Sequence, residues 1–155
     1  VGDKFNSSFK YKNMRLKITF TFLVVFGIAF SSLGQITKKQ IEEQINVMET
    51  SHQSCKDSGV DFIRCANVFY KQMDSMLNVV YKLVKGQLDT VEFKQLKQEQ
   101  LKWLSKRNQY FKQVENDGHG QELGADVAAS FAIDRKATYV DDRISVILKN
   151  WWKSK

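Results

Sequence analysis

Asp74, Asn78 and Tyr81 lie at i, i+4 and i+7 of one stretch, and Gln100, Trp103 and Arg107 repeat at three and four residues in another. If both stretches are helical, each trio shares one helix face. A carboxylate and a guanidinium facing each other would form a charge-assisted pair, with the amides filling the remaining donors and acceptors. Such a set can act as a binding surface or an acid/base site. The reading favoured here is a buried network that fixes helix register, which is tolerated only when complete.

Other chemistry has little support in the residues. His52 sits beside the cysteines and His119 between two glycines, and neither has an i, i+4 partner with which to hold a metal. There is no G-x-x-x-x-G-K-[ST] run and no G-x-G-x-x-G. No residue stands out as an activated nucleophile. The expectation is a protein without catalytic activity, metal or cofactor. Two cysteines are too few for a disulfide-dense mini-fold or a Cys₄ zinc site.

The elements that must position these residues read as helices. Proline is absent from all 155 residues, which disfavours a turn-rich β fold. A short first helix begins where Thr37 and Gln40 form a capping box, followed by Ile41, Ile45 and Met48 at helical spacing. Residues 51–59 read as a polar loop containing Cys55. A second helix covers about 61–85, with Phe62, Cys65, Phe69, Met73, Met76, Leu77, Val80, Leu83 and Val84 as its apolar stripe and Gly86 as its stop. A third starts at Asp89, whose capping partner is Glu92, and turns Phe93, Leu96, Gln100, Trp103, Leu104, Arg107, Phe111 and Val114 inward. After a turn cluster at 116–120, a fourth covers about 121–152, with Leu123, Val127, Phe131, Val140, Ile144, Ile147, Leu148 and Trp151 as its stripe. Short connections favour antiparallel neighbours, so the expected fold is all-α: an up-and-down bundle of three long helices and one short.

The segment before this bundle has the three parts of a secretory signal peptide. Met14-Arg15-Leu16-Lys17 is charged, residues 18–30 are almost wholly apolar, and Ser32 and Gly34 are small residues at the −3 and −1 positions. The run is short for a membrane span of about 20 residues. Residues 1–13 read as an upstream extension, 14–34 as the signal, and 35–155 as one domain, with cleavage after Gly34. No cysteine follows the run to carry a lipid anchor. The expected location is periplasmic or secreted, with no membrane association once the signal is removed.

Export makes a Cys55–Cys65 bridge the favoured state of the two thiols. Free thiols or an intermolecular bridge are the alternatives. The formal charge of +7 suggests a nucleic-acid binder only until it is divided along the chain. More than half of it lies in residues 1–34, so no nucleic-acid partner is expected. Residues 61–112 carry ten Lys/Arg against five Asp/Glu, whereas residues 115–142 carry seven acids against Arg135 and Lys136. An acidic end beside a basic body can steer a basic partner, although an ordinary solvated surface has the same composition.

Taken together, Cys55, Cys65, Asp74-x-x-Leu77-Asn78-x-x-Tyr81, Leu96-x-x-x-Gln100-x-x-Trp103-x-x-x-Arg107 and Arg143-x-x-x-x-Leu148 resemble the lysozyme inhibitor LprI-like, N-terminal domain family over residues 55–148. The resemblance implies a small exported helical protein that binds and blocks a peptidoglycan-cleaving enzyme, and it adds Arg143 to the polar network. The alternative is an envelope protein-interaction module without inhibitory activity. Members commonly carry a further cysteine four residues after the arginine of the tryptophan helix, with a partner near the last helix. Phe111 stands at the first position and no cysteine follows Cys65, so packing must join the third and fourth helices. Animal lysozymes are typically basic, and their cleft holds two catalytic carboxylates. The candidate surface for such a partner is therefore the acidic turn region of Glu115, Asp117, His119, Glu122 and Asp126.

Overall fold

In the computed structural model, which describes residues 36–117, 122 and 124–153, four α-helices follow one another: α1 (Lys38–Asp57), α2 (Phe62–Lys85), α3 (Thr90–Asn116) and α4 (Ala125–Asn150). The signal segment, His119 and Leu123 lie outside the described residues. Both capping boxes form. Gln40 N donates to Thr37 Oγ1 at 3.2 Å while Thr37 N donates to Gln40 Oε1 at 2.8 Å. Asp89 Oδ1 accepts from Val91 N and Glu92 N, and Glu92 returns an acceptor to Asp89 N. Each box satisfies amides that the first helical turn leaves without partners.

The first helix is not short. It runs for 20 residues, through the segment expected to be a polar loop. Ile41, Ile45, Met48, His52 and Cys55 continue one face at alternating intervals of four and three. The polar residues between them are the solvent side of an ordinary amphipathic helix. The chain reverses only at Ser58-Gly59-Val60, where Gly59 takes φ +67°, a conformation that costs glycine nothing sterically. Asp61 is also left-handed at φ 51° and caps α2 by accepting from Arg64 N at 2.9 Å. Gly124, at φ +101°, precedes α4 without a side-chain cap. That helix therefore begins at Ala125, later than the apolar pattern suggests.

Neighbouring helices run antiparallel. Cys55 on α1 meets Cys65 on α2, Tyr70 on α2 meets Phe111 on α3, and Glu115 and Gln100 on α3 meet Lys136 and Arg143 on α4. The largest interface joins α2 to α4, the two parallel helices of the up-and-down order. Its side chains are the most deeply buried: Met73, Val80 and Val84 of α2 and Ala137, Val140, Ile144 and Ile147 of α4 have no exposed surface. Ile41 and Ile45 add α1 to this core, and Leu96 adds α3.

The cysteines are bridged, with their Cα atoms 5.7 Å apart across ten residues of chain. The bridge ties the last turn of α1 to the first turn of α2. Replacing both cysteines with serine is expected to lower unfolding free energy by about 2–3 kcal/mol, the loop-closure value for a ring of this size. The urea midpoint with and without reductant checks this, since reduction of the parent protein should give the same shift.

Candidate functional site

Six of the seven motif residues converge on one groove between α2 and α3. Asp74, Asn78, Tyr81, Gln100, Trp103 and Arg107 line it, together with Lys97 and the apolar side chains Leu77, Leu101 and Leu104. Its volume is about 280 Å³ and it opens to solvent. The helix spacing that groups each trio on one face is what aims both at the same place.

The expected carboxylate–guanidinium bond across this interface is not formed. Arg107 donates through Nε and Nη2 to Oδ1 of its neighbour Asn108, at 3.3 and 3.1 Å. Its guanidinium lies over the rings of Trp103 and Phe111, 5.5 and 5.6 Å from their centroids. Asn78 Nδ2 donates to the Asp74 carbonyl one turn back, at 2.8 Å. An open groove lets water solvate the Asp74 carboxylate, so no cation is required beside it. The charges of Asp74 and Arg107 still reach Tyr70: burial pushes the pKa of its hydroxyl above the ordinary tyrosine value, Asp74 adds to the rise and Arg107 opposes it.

Arg143, on α4 behind the groove, is the buried member of the set, only 6% exposed. Its Nε donates to Gln100 Oε1 at 2.9 Å, and its Nη1 lies 3.8 Å from Glu99 Oε2. Glu99 also accepts from Trp151 Nε1 at 3.1 Å. Burial pushes the Arg143 guanidinium down from its ordinary value, against the opposing charges of Glu99 and Tyr81. Arginine stays protonated even so. Nη2 is buried with no hydrogen-bond partner among the described residues, so the network is not closed. Tyr81 is itself shifted upward by burial, with Arg143 pulling it back.

The acidic turn region divides. Glu115 binds Lys136 at 2.6 Å, and Asp117 pairs with Arg135. Glu122 and Asp126 are exposed.

Sequence reasoning missed Glu99 and a cluster at the disulfide end. There His52 stacks on Phe69 with centroids 4.5 Å apart, and its Nε2 lies 2.9 Å from Asp134 Oδ1. Lys56 Nζ donates to Asp134 Oδ2 at 2.9 Å. The period that extends α1 through His52 was the signal available for it. Between α1 and α4, Asp141 lines a second groove with Glu42, Glu49 and Lys38. Burial pushes its carboxyl above the usual aspartate range, and Glu49 and Asp142 add to the rise.

The described residues thus form a disulfide-stapled all-α domain with a polar interhelical groove and a half-satisfied buried arginine. The chain belongs to the lysozyme inhibitor LprI family, whose model matches residues 50–142, more than half of its length. No curated protein and no solved structure matches it.

Two expectations separate structural from surface residues. Arg143→Ala, which leaves a cavity and an unpaired Gln100, should cost about 2–3 kcal/mol, whereas Arg107→Ala should stay within about 1 kcal/mol; denaturant titration of both variants compares them. The Asp141 carboxyl binds its proton more tightly folded than unfolded, so ionisation destabilises the fold. That penalty is absent below the unfolded value of about 3.9 and complete above the folded one. Asp141→Asn should therefore raise the urea midpoint at about pH 7 and leave it nearly unchanged at about pH 3.

Proposed function

We propose that the protein is an exported inhibitor of lysozyme that acts by stoichiometric binding, without turnover. Membership of the LprI family across residues 50–142 is the observation that carries this reading. It is supported by a folded domain with exposed acids, Glu122 and Asp126, beside the α3–α4 connection.

Within that end, Glu122 and Asp126 are the acids left for a basic partner, because Lys136 and Arg135 already engage Glu115 and Asp117. Charges at such a rim steer encounter and set salt dependence more than they hold the complex. The amino-terminal signal would deliver the domain to the periplasm or medium, where its target acts.

Titrating the purified protein against several lysozyme classes tests this. The expected result is saturable loss of muramidase activity at a one-to-one ratio, weakened when salt rises from about 50 to about 300 mM. The double change Glu122→Lys and Asp126→Lys should raise the inhibition constant about tenfold with only a small fall in thermal midpoint, from placing a cation in the first turn of α4. Absence of inhibition of every class at micromolar protein would remove the proposal. Recovery of a specific non-muramidase envelope protein would then support an interaction module instead.

A further inference from the structure

The basic surplus of α2 and α3 is larger in the fold than in the sequence, because the acids of α3 are already engaged. Glu92 caps Asp89 and binds Lys153 Nζ at 2.6 Å, Glu99 faces Arg143 and Trp151, and Glu115 binds Lys136. The cations along the α2–α3 groove have no such partner. Lys97 and Arg107 line it, and Lys71 stands one turn before Asp74 on the same face of α2. Lys85 lies over the Phe93 ring, 4.9 Å from its centroid, farther along that face. Among the described residues, no carboxylate lies within 4.0 Å of any of these four cationic groups.

The floor between them is mixed. Leu77, Leu104 and the half-exposed Leu101 are apolar, Asn78 and Gln100 offer amide groups, and Asp74 is an acceptor without a cation. Anionic groups spaced along a polymer would meet the cations, while hydroxyl and amide donors would meet Asp74 and the amides. Nucleic acid fits this less well. Trp103 is stacked against Tyr139 and covered by Arg107, so its faces are not free to stack on a base, and Asp74 would oppose a phosphate chain.

We propose that the α2–α3 groove binds a carboxylated, N-acetylated glycan, the peptidoglycan that lysozyme cleaves, and so holds the inhibitor at the wall. The identity of this glycan rests on the export and lysozyme reading, whereas the charge and shape of the groove do not. The groove lies between α2 and α3, apart from the exposed acids Glu122 and Asp126, so wall binding and inhibition are separable.

Co-sedimentation of the purified protein with insoluble peptidoglycan sacculi tests it, with chitin as the uncarboxylated control. The parent protein should pellet with sacculi, release in high salt and ignore chitin. Combining Lys71→Glu with Lys97→Glu should lower sacculus binding at least about fivefold. Lys102→Glu, a reversal at an exposed α3 position outside the groove, should leave binding within about twofold. The exposed positions chosen keep the fold intact, which an unchanged thermal midpoint verifies. Three results would overturn the proposal: no pelleting with sacculi, equal retention on chitin, or equal loss in Lys102→Glu. Full competition by polyglutamate at matched carboxylate concentration would also overturn it, in favour of an acidic protein partner. Lysozyme inhibition measured on the same variants keeps the two readings apart, since groove reversal should weaken wall binding and spare inhibition.

Discussion

Burial of the facing stripes of α2 and α4 against each other is the constraint on which everything else in this molecule depends. Met73, Val80 and Val84 on one side and Ala137, Val140, Ile144 and Ile147 on the other are wholly removed from solvent. Each large side chain of this kind contributes roughly 1.5–3 kcal/mol relative to exposure. Ala66 and Ala137, both fully buried, put little bulk between the backbones. In an up-and-down order these two helices are diagonal, and their close approach leaves α1 and α3 on the flanks. The groove follows from that arrangement: α3 is joined to α2 mostly through side chains, so polar residues that would be sealed in a square bundle remain in contact with water.

The flank position explains how α3 is held. Only Leu96 and Val114 of its 27 residues are buried, so apolar burial alone cannot fix it. Its first turn is capped by Asp89 and Glu92, and Glu92 is shared with Lys153 from the end of the chain. Tyr139 of α4 stacks on Trp103 and Tyr110, with ring centroids 5.8 and 4.5 Å apart. Phe111 meets Tyr70 and Tyr139 edge-on, and Lys136 lies over its ring. Aromatic packing and cation–π contact thus join α3 to α4 without a second bridge.

Helix existence was legible because it rests on period. The stripes of α2 and α4 are long and apolar, and their buried residues are those that recur at three and four. Composition misled at residues 51–57: Ser, Gln, Lys and Asp look like a loop, yet the positions that matter, His52 and Cys55, keep the helical interval. The grouping of Asp74, Asn78 and Tyr81 with Gln100, Trp103 and Arg107 was equally legible, since it needs only helix geometry and an antiparallel pair. Their bonding was not. Whether Asp74 meets Arg107 depends on how far apart α2 and α3 stand, and that distance is set by the α2–α4 interface, which neither motif contains.

The distribution of charge has the same origin. Arg143 is buried because α4 lies deep in the bundle, and a buried cation must recruit partners from what surrounds it. It takes Gln100 and Glu99 from α3, and nearby Lys136 and Lys153 take Glu115 and Glu92. Each ion pair removes an acid from the α3 surface without engaging one of that helix's own cations. A helix already richer in cations than in acids thereby becomes more one-sidedly basic once docked, whereas Glu42, Glu49 and Asp141 gather between α1 and α4, where Lys38 is the one cation among the described lining residues. The polarity of the surface is therefore a product of helix docking, and the net charge of the chain, which sums over paired and unpaired groups alike, does not report it.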